Sequence, residues 1–260
     1  MKNPDLRITL LQPDTYWENP DANRAELEEI IAGLEHATDL IILPETFTTG
    51  FSGRAREVSE PMNFNTHKWM KMMAAQTQAA ICGSVFISEH NKVFNRLLFV
   101  TPDGETIAYD KKHLFSMGAE GEQFTPGNKS IIINWKGWRI KPLICYDLRF
   151  PVWARNRDKE YDILMYSANW PASRSNVWNT LLPARAIENQ CYVAGVNRVG
   201  TDGNGHNYIG ESQVIDPKGM KIAKMESNPG SLSVHLSLKD LQAFREKFPV
   251  WRDADDFEIK

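Results

Sequence analysis

Cysteine is scarce in this sequence: Cys82, Cys145 and Cys191 are the three among 260 residues. An odd number with no C-x-x-C spacing supports neither a disulfide framework nor a zinc site. The six histidines form no H-x-x-x-H pair, Gly203, Gly205 and Gly210 miss the dinucleotide spacing, and no phosphate-binding loop occurs. No metal and no cofactor is therefore expected. An excess of positive charge is missing as well. The 30 Lys and Arg stand against 33 Asp and Glu, a net charge of -3, whereas a nucleic-acid or anionic-membrane partner asks for a basic surface. No apolar run approaches the length of a membrane span, and Met1-Lys2-Asn3-Pro4-Asp5 opens the chain without the apolar core of a signal peptide. The cytoplasm is the expected compartment. Linkers, repeats and low-complexity tracts are also absent, so residues 1–260 read as one domain. A polar extension starts at about residue 249, with Trp251 and Phe257 as candidate anchors.

What is present is alternation. Hydrophobic residues make up 42% of the chain, enough to bury a sizeable core. Short apolar runs at 8–11, 40–43, 81–87, 97–100, 131–133, 140–144, 163–167, 192–196 and 212–215 read as strands. Between them, Leu27, Ile30, Ile31 and Leu34 keep helical spacing, so residues near 21–36 should lay one face on a sheet. Trp69, Met70 and Met73 suggest a second helix, and Trp178, Leu181 and Leu182 a third. Leu238, Leu241 and Phe244 mark a last one, with Ser237 as its N-cap. Strands and helices in alternation, with turns such as Pro102-Asp103-Gly104, predict a layered α/β domain.

The informative residues sit where apolar runs end. Leu43 leads into Pro44-Glu45, Tyr109 into Asp110-Lys111-Lys112-His113, Ile144 into Cys145-Tyr146-Asp147-Leu148-Arg149, and Tyr166 into Ser167-Ala168-Asn169-Trp170. In α/β folds, ligands gather outside the carboxyl ends of strands. Taken singly, a cysteine after a strand reads more often as a small core residue, and a Glu or Lys there as a solvated charge. Together they suit one chemistry. A thiol of ordinary acidity is mostly protonated at neutral pH and wants a base or a positive neighbour. Glu45 can take that proton and return it to a departing amine, while Lys111 can favour negative charge on sulfur or oxygen. Strand alternation puts Lys111 on the face of Tyr109 and Lys112 on the face of Asp110, so Lys111 is preferred.

Leu43-Pro44-Glu45, Tyr109-Asp110-Lys111-Lys112-His113-Leu114 and Cys145-Tyr146-Asp147-Leu148-Arg149-Phe150-Pro151 resemble the three motifs of the nitrilase superfamily, in that family's order. Ser167-Ala168-Asn169-Trp170-Pro171 and Ala184-Arg185-Ala186-Ile187-Glu188-Asn189 extend the resemblance, which runs from Ile8 to about Trp251 and is similar above all to the bacterial omega-amidase branch. The resemblance implies a four-layer αββα sandwich that pairs through outer helices into a homodimer or higher homo-oligomer. It also implies a catalytic triad of Glu45, Lys111 and Cys145. A second glutamate is implied seven residues before a glycine; Glu120 before Gly127 fits, and nearby Glu122 does not. The implied reaction passes through a thioester on Cys145, with Lys111 and the backbone N–H of Tyr146 facing the oxyanion.

The implied substrates are omega-amides of small 2-oxo dicarboxylic acids, 2-oxoglutaramate and 2-oxosuccinamate. Their free carboxylate asks for a cationic or backbone donor, and Arg174 is the candidate, with Tyr146, Asn169 and Trp170 as further pocket residues. Phe47 and Phe115 are possible walls. Three other readings stay open: an N-carbamoyl amine hydrolase with the same triad, a Cys–His hydrolase using His113, and a scaffold without activity.

Overall fold

The computed structural model describes residues 5–117 and 120–259, without the side chain of Glu122. In chain order, β1 (Asp5–Gln12), α1 (Pro20–Ala32), β2 (Leu40–Ile42), α2 (Ala55–Val58), α3 (Asn65–Thr77), β3 (Ala80–Glu89), β4 (Lys92–Val100) and β5 (Thr106–Asp110) come first. After them follow α4 (Glu120–Gln123), β6 (Ile133–Trp135), β7 (Trp138–Ile144), α5 (Pro151–Ala154), β8 (Ile163–Ser167), α6 (Ser175–Asn189) and β9 (Tyr192–Val196). The chain ends with β10 (Val199–Thr201), β11 (Asn207–Ile209), β12 (Gln213–Ile215), β13 (Lys221–Lys224), β14 (Gly230–Ser237) and α7 (Leu238–Lys247).

Two-residue alternation sorts the strand side chains into separate cores. Ile8 and Leu10 of β1 join Leu40 and Ile42 of β2 in one cluster, while Leu11, Ile41 and Leu43 join another. The first cluster fills the space between two six-stranded sheets, ordered β14-β1-β2-β3-β4-β5 and β13-β12-β9-β8-β7-β6. The second holds Leu27 and Ile31 of α1 and Trp69, Met70 and Met73 of α3 against the outer face of the first sheet. On the other side, α6 lays Trp178, Leu182 and Ala186 on β9. It comes so close that a Cβ on Gly195 would stand 2.6 Å from Leu182. The layers are therefore α, β, β, α, as the family resemblance implied.

Each sheet has a parallel centre, β1-β2-β3 in one and β9-β8-β7 in the other. Such strands, buried on both faces, explain why their sequences read as continuous apolar runs. All four expected helices form, and Ser237 caps α7 by accepting a hydrogen bond from the Asp240 N–H at 3.3 Å. Strands β10, β11, β13 and β14 were not expected. In β14, Leu232, Val234 and Leu236 alternate with Ser and His, the pattern of an edge strand with one wet face. It pairs along its whole length with β1, antiparallel, from Asp5 opposite Ser237 to Gln12 opposite Gly230. The tail is held where expected. The Lys159 ammonium lies 3.7 Å from the Trp251 ring centre and the Arg157 guanidinium 5.6 Å from that of Phe257. No helix among the described residues is long and apolar enough to cross a membrane.

One strand residue stands against the rule for buried charge. Lys141 of β7 is buried beside the Tyr161 ring, and its ammonium has no ion pair or hydrogen bond among the described residues. Burial lowers its pKa from 10.5 to about 8. Between those values the unfolded chain binds the extra proton, so this lysine costs stability at neutral pH and the cost fades as pH rises. Lys141→Met is expected to gain about 2 kcal/mol at pH 7, a gain that shrinks toward pH 10 in urea titrations.

Candidate active site

The carboxyl ends of β2, β5, β7 and β8 meet at one rim. Glu45 follows β2 on a segment tied to both sheets: the Leu43 N–H donates to Cys82 O at 2.7 Å, and Ser167 Oγ donates to Leu43 O at 2.8 Å. Glu45 is buried. Its Oε1 accepts from Lys111 Nζ at 2.9 Å and from Asn95 Nδ2 at 2.8 Å, and its Oε2 accepts from the Asn169 N–H at 2.9 Å. The next residue, Thr46, has φ of 42°, a left-handed conformation that costs a non-glycine residue about 1 kcal/mol or more. Its N–H donates to Ser84 Oγ at 2.9 Å, which fixes the bend.

Lys111 leaves β5 with its N–H donating to Asn95 O at 2.9 Å and its carbonyl accepting from the Gly127 N–H at 2.8 Å. A Cβ on Gly127 would stand 2.1 Å from Asp110 O, so only glycine lets the returning chain pass there. The Lys111 ammonium also donates to Glu120 Oε1 and Oε2 at 2.9 and 3.0 Å. Glu120, the first residue of α4, is fixed in turn by the Phe115 N–H at 2.6 Å. One buried ammonium thus bridges two buried carboxylates. The Glu122 side chain, the other candidate, lies outside the described residues.

Cys145 opens a single 3-10 turn, Cys145–Arg149, at the end of β7, with φ of 40°. Asp147 braces this turn. Its Oδ2 accepts from the Ile144 N–H at 3.1 Å and the Tyr109 hydroxyl at 2.8 Å, and its Oδ1 accepts from the His113 N–H at 3.0 Å. The His113 ring nitrogen Nδ1 also lies 2.8 Å from that Oδ1, and the ring stacks on Phe150 at 3.7 Å. His113 therefore serves the back of the turn and does not line the cavity in front of it. Cys145 Sγ has the Asn169 carbonyl at 3.8 Å.

Electrostatics follow from this packing. Burial pushes the Cys145 thiol well above its ordinary pKa, the nearby Glu45 carboxylate pushes it further, and Lys111 pulls against both. Burial alone would lower Lys111, but Glu120, Glu45 and Cys145 outweigh it and hold the ammonium above the usual lysine value. Glu120 is raised by burial and by Glu45, against the pull of Lys111. At neutral pH the sulfur is a thiol beside an acceptor, and the lysine is a fixed cation. Burial alone raises Cys82 well above its ordinary value and dominates at Cys191, pushed up to about 12. Iodoacetamide is therefore expected to label Cys145 first, because it alone lines the cavity, as peptide mapping after brief exposure would show.

The cavity encloses about 470 Å³, and Glu45, Lys111, Cys145, Tyr146, Asn169, Trp170 and Arg174 all line it. Glu120 sits behind Lys111. The Asn169 side chain donates to Glu45 O at 2.9 Å and Thr46 Oγ1 at 2.7 Å, so it holds the loop that carries Glu45. Trp170 is buried, its indole N–H donating to Arg174 O at 2.8 Å. Arg174 rests its guanidinium 5.3 Å from the Phe115 ring centre. Phe47 belongs to the core under α3 and does not wall the cavity. Sequence reasoning passed over Asn95, Arg149 and the β10–β11 hairpin, whose Asp202, Asn204, His206 and Tyr208 close one side. A buried Asn next to Arg96 within β4, between Val93-Phe94 and Leu97-Leu98, was the available signal for the first. Among the described residues no group of three or more metal-binding side chains forms.

A thiol, a glutamate and a lysine at converging strand ends of an αββα sandwich define a class, and residues 7–246 match the carbon-nitrogen hydrolase family. The chain belongs to that family. Omega-amidase YafV of Escherichia coli (strain K12) is 47% identical over 257 residues, which cover 98% of this chain and 99% of that protein. The 2-oxoglutaramate amidase of Bacillus subtilis (strain 168) is 32% identical over 250 residues, 95% of this chain and 96% of its own. Among solved structures, XC1258 from Xanthomonas campestris, a CN-hydrolase superfamily protein with an arsenic adduct in its active site, superposes with a TM-score of 0.97. It is 44% identical, and the match covers 99% of this chain and 100% of that one.

Proposed function

We propose that this carbon-nitrogen hydrolase cleaves the terminal amide of small 2-oxo dicarboxylic acid monoamides, 2-oxoglutaramate and 2-oxosuccinamate, to the acid and ammonia. The observation that carries the chemistry is the buried cluster in which Lys111 contacts both Glu45 and Glu120 at 2.9 Å, behind a cavity that Cys145 also lines. The substrate follows from the relatives named omega-amidase and 2-oxoglutaramate amidase.

A thiol with a raised pKa cannot wait as thiolate, so the proton leaves as sulfur attacks. Glu45 takes it, the S–C bond forms, and the amide oxygen gains charge facing Lys111 and the Tyr146 N–H. Glu45 then hands the proton to nitrogen, the C–N bond breaks, and ammonia departs from a thioester. Water attacks that thioester while Glu45 accepts its proton, with Glu120 holding Lys111 in place. The C–S bond breaks, and the proton returns to sulfur as the acid leaves. Asn169 keeps Glu45 aimed, Trp170 forms a wall, and Arg174 takes the substrate's free carboxylate.

The experiment is ammonia release by purified protein from 2-oxoglutaramate against N-carbamoyl-β-alanine. Turnover of the first at least a hundredfold above the second is expected; preference for the carbamoyl compound would replace the substrate assignment. We further assign the protein to the cytoplasm, as one domain with a C-terminal extension from about residue 249. It forms a homodimer across the outer face of α6, where Ile187 is exposed and Gly219 brings the exposed Met220 alongside. Sedimentation at micromolar concentration should give twice the chain mass, and Ile187→Glu should return it to one.

A further inference from the structure

The charges lining the cavity can be followed one by one. Glu45 is engaged by Lys111, Asn95 and Asn169, and Lys111 is engaged by Glu45 and Glu120. Asp202 is engaged by its own hairpin: its Oδ2 accepts from the Tyr208 hydroxyl, and its Oδ1 from the Asn204 and His206 N–H groups, all at 2.9 Å. Two cations remain. The Arg149 guanidinium lies 5.4 Å from the Trp170 ring centre and that of Arg174 5.3 Å from Phe115. Neither has an ion pair or a side-chain hydrogen bond among the described residues. Both are half-buried, and both line the cavity that holds Cys145.

We infer that Arg149 is a specificity-determining residue that, with Arg174, makes the cavity select 2-oxo acids over 2-amino acids; this rests on the omega-amide reading above. One guanidinium suffices for a carboxylate. A second, equally unpaired, offers N–H donors to a neighbouring acceptor, and the carbonyl oxygen of a 2-oxo acid is that acceptor. In glutamine the same carbon bears an ammonium, which has no lone pair to offer and is repelled by both arginines. The Trp170 ring, 5.4 Å from the guanidinium, steadies Arg149 without using any of its N–H donors. Its position helps: Arg149 closes the 3-10 turn that Cys145 opens, so the same turn that aims the sulfur also carries this cation.

The test is kcat and KM for 2-oxoglutaramate and for glutamine with wild type, Arg149→Gln and Arg149→Lys, with thermal unfolding alongside. For Arg149→Gln, kcat/KM on 2-oxoglutaramate should fall about tenfold to a hundredfold, chiefly through KM. Its preference over glutamine should shrink by about tenfold or more, since one of the two repelling charges is gone. Arg149→Lys should keep most of that preference while its KM for 2-oxoglutaramate rises several-fold, because the charge stays and the fork is lost. A folded Arg149→Gln with the wild-type preference overturns the assignment. Should that variant not fold, an unchanged KM in Arg149→Lys overturns it equally. Wild type silent toward 2-oxoglutaramate would instead sink the omega-amide reading, so the two failures are distinguishable.

Discussion

Lys111→Met is expected to lose about 10²–10³ in turnover and about 3–5 kcal/mol of stability near pH 8. In the mechanism proposed above, the activity falls because the cation facing the developing oxyanion is gone. The stability falls for another reason: Glu45 and Glu120 are both buried, and Lys111 is the charge they share. Asn95, the Asn169 N–H and the Phe115 N–H remain, yet they are dipoles without a balancing charge. Glu120 already holds its proton more tightly in the folded protein than in the unfolded chain. Removing Lys111 deletes the cation that lowers it. A raised carboxylate contributes stability below its unfolded value and loses it as pH climbs through the folded value. The variant should therefore be weakest near pH 8 and recover part of its midpoint by pH 5. Urea titrations at both pH values check this; a loss independent of pH would show that the two carboxylates are not sharing the lysine.

Glu45→Gln is expected to cost about 10²–10⁴ in turnover while leaving the cavity its shape. Glutamine nearly matches glutamate in volume but accepts no proton at neutral pH, and the raised Cys145 thiol cannot ionise by itself. Three donors point at Glu45: the Lys111 ammonium, Asn95 Nδ2 and the Asn169 N–H. One oxygen of the amide can serve two of them, and its NH₂ must face the third, which costs about 1–3 kcal/mol. Stopped-flow release of the first ammonia should slow as much as steady turnover, because the same base starts the reaction. A variant within tenfold of wild type would move the base elsewhere.

The strand ends proposed to carry the chemistry stood out in the sequence because each combines two signals, an apolar run that stops and a polar residue that follows it. Leu43-Pro44-Glu45 and Ile144-Cys145 are such places, and the structure brings them to one rim. The long helices were legible for a similar reason: α1, α3 and α6 are thirteen or more residues long, enough to show a period. Strand β14 alternates and was passed over all the same, whereas most of what stayed hidden is too short to show a period. Helices α2, α4 and α5 are single turns, and β10 and β11 have three residues each around a polar loop. The dual duty of Asn169, fastening the loop of Glu45 while bordering the cavity, depends on a partner 124 positions away that no local pattern announces. Arg149 was quoted within its motif, but that its guanidinium finds no hydrogen-bond partner among the described residues is a fact of packing alone.

Strand β1 has partners at both extremes of the sequence distance. Its parallel neighbour β2 is available early, whereas β14, which covers its other edge over eight residues, is made more than two hundred positions later. During synthesis the first strand must therefore pass most of its time with a row of amide groups bare, a template for any other growing chain. Shortening the polypeptide before Gly230 would not trim an ornament; it would leave that open margin permanently, and clumping on the ribosome's exit side is the price to anticipate.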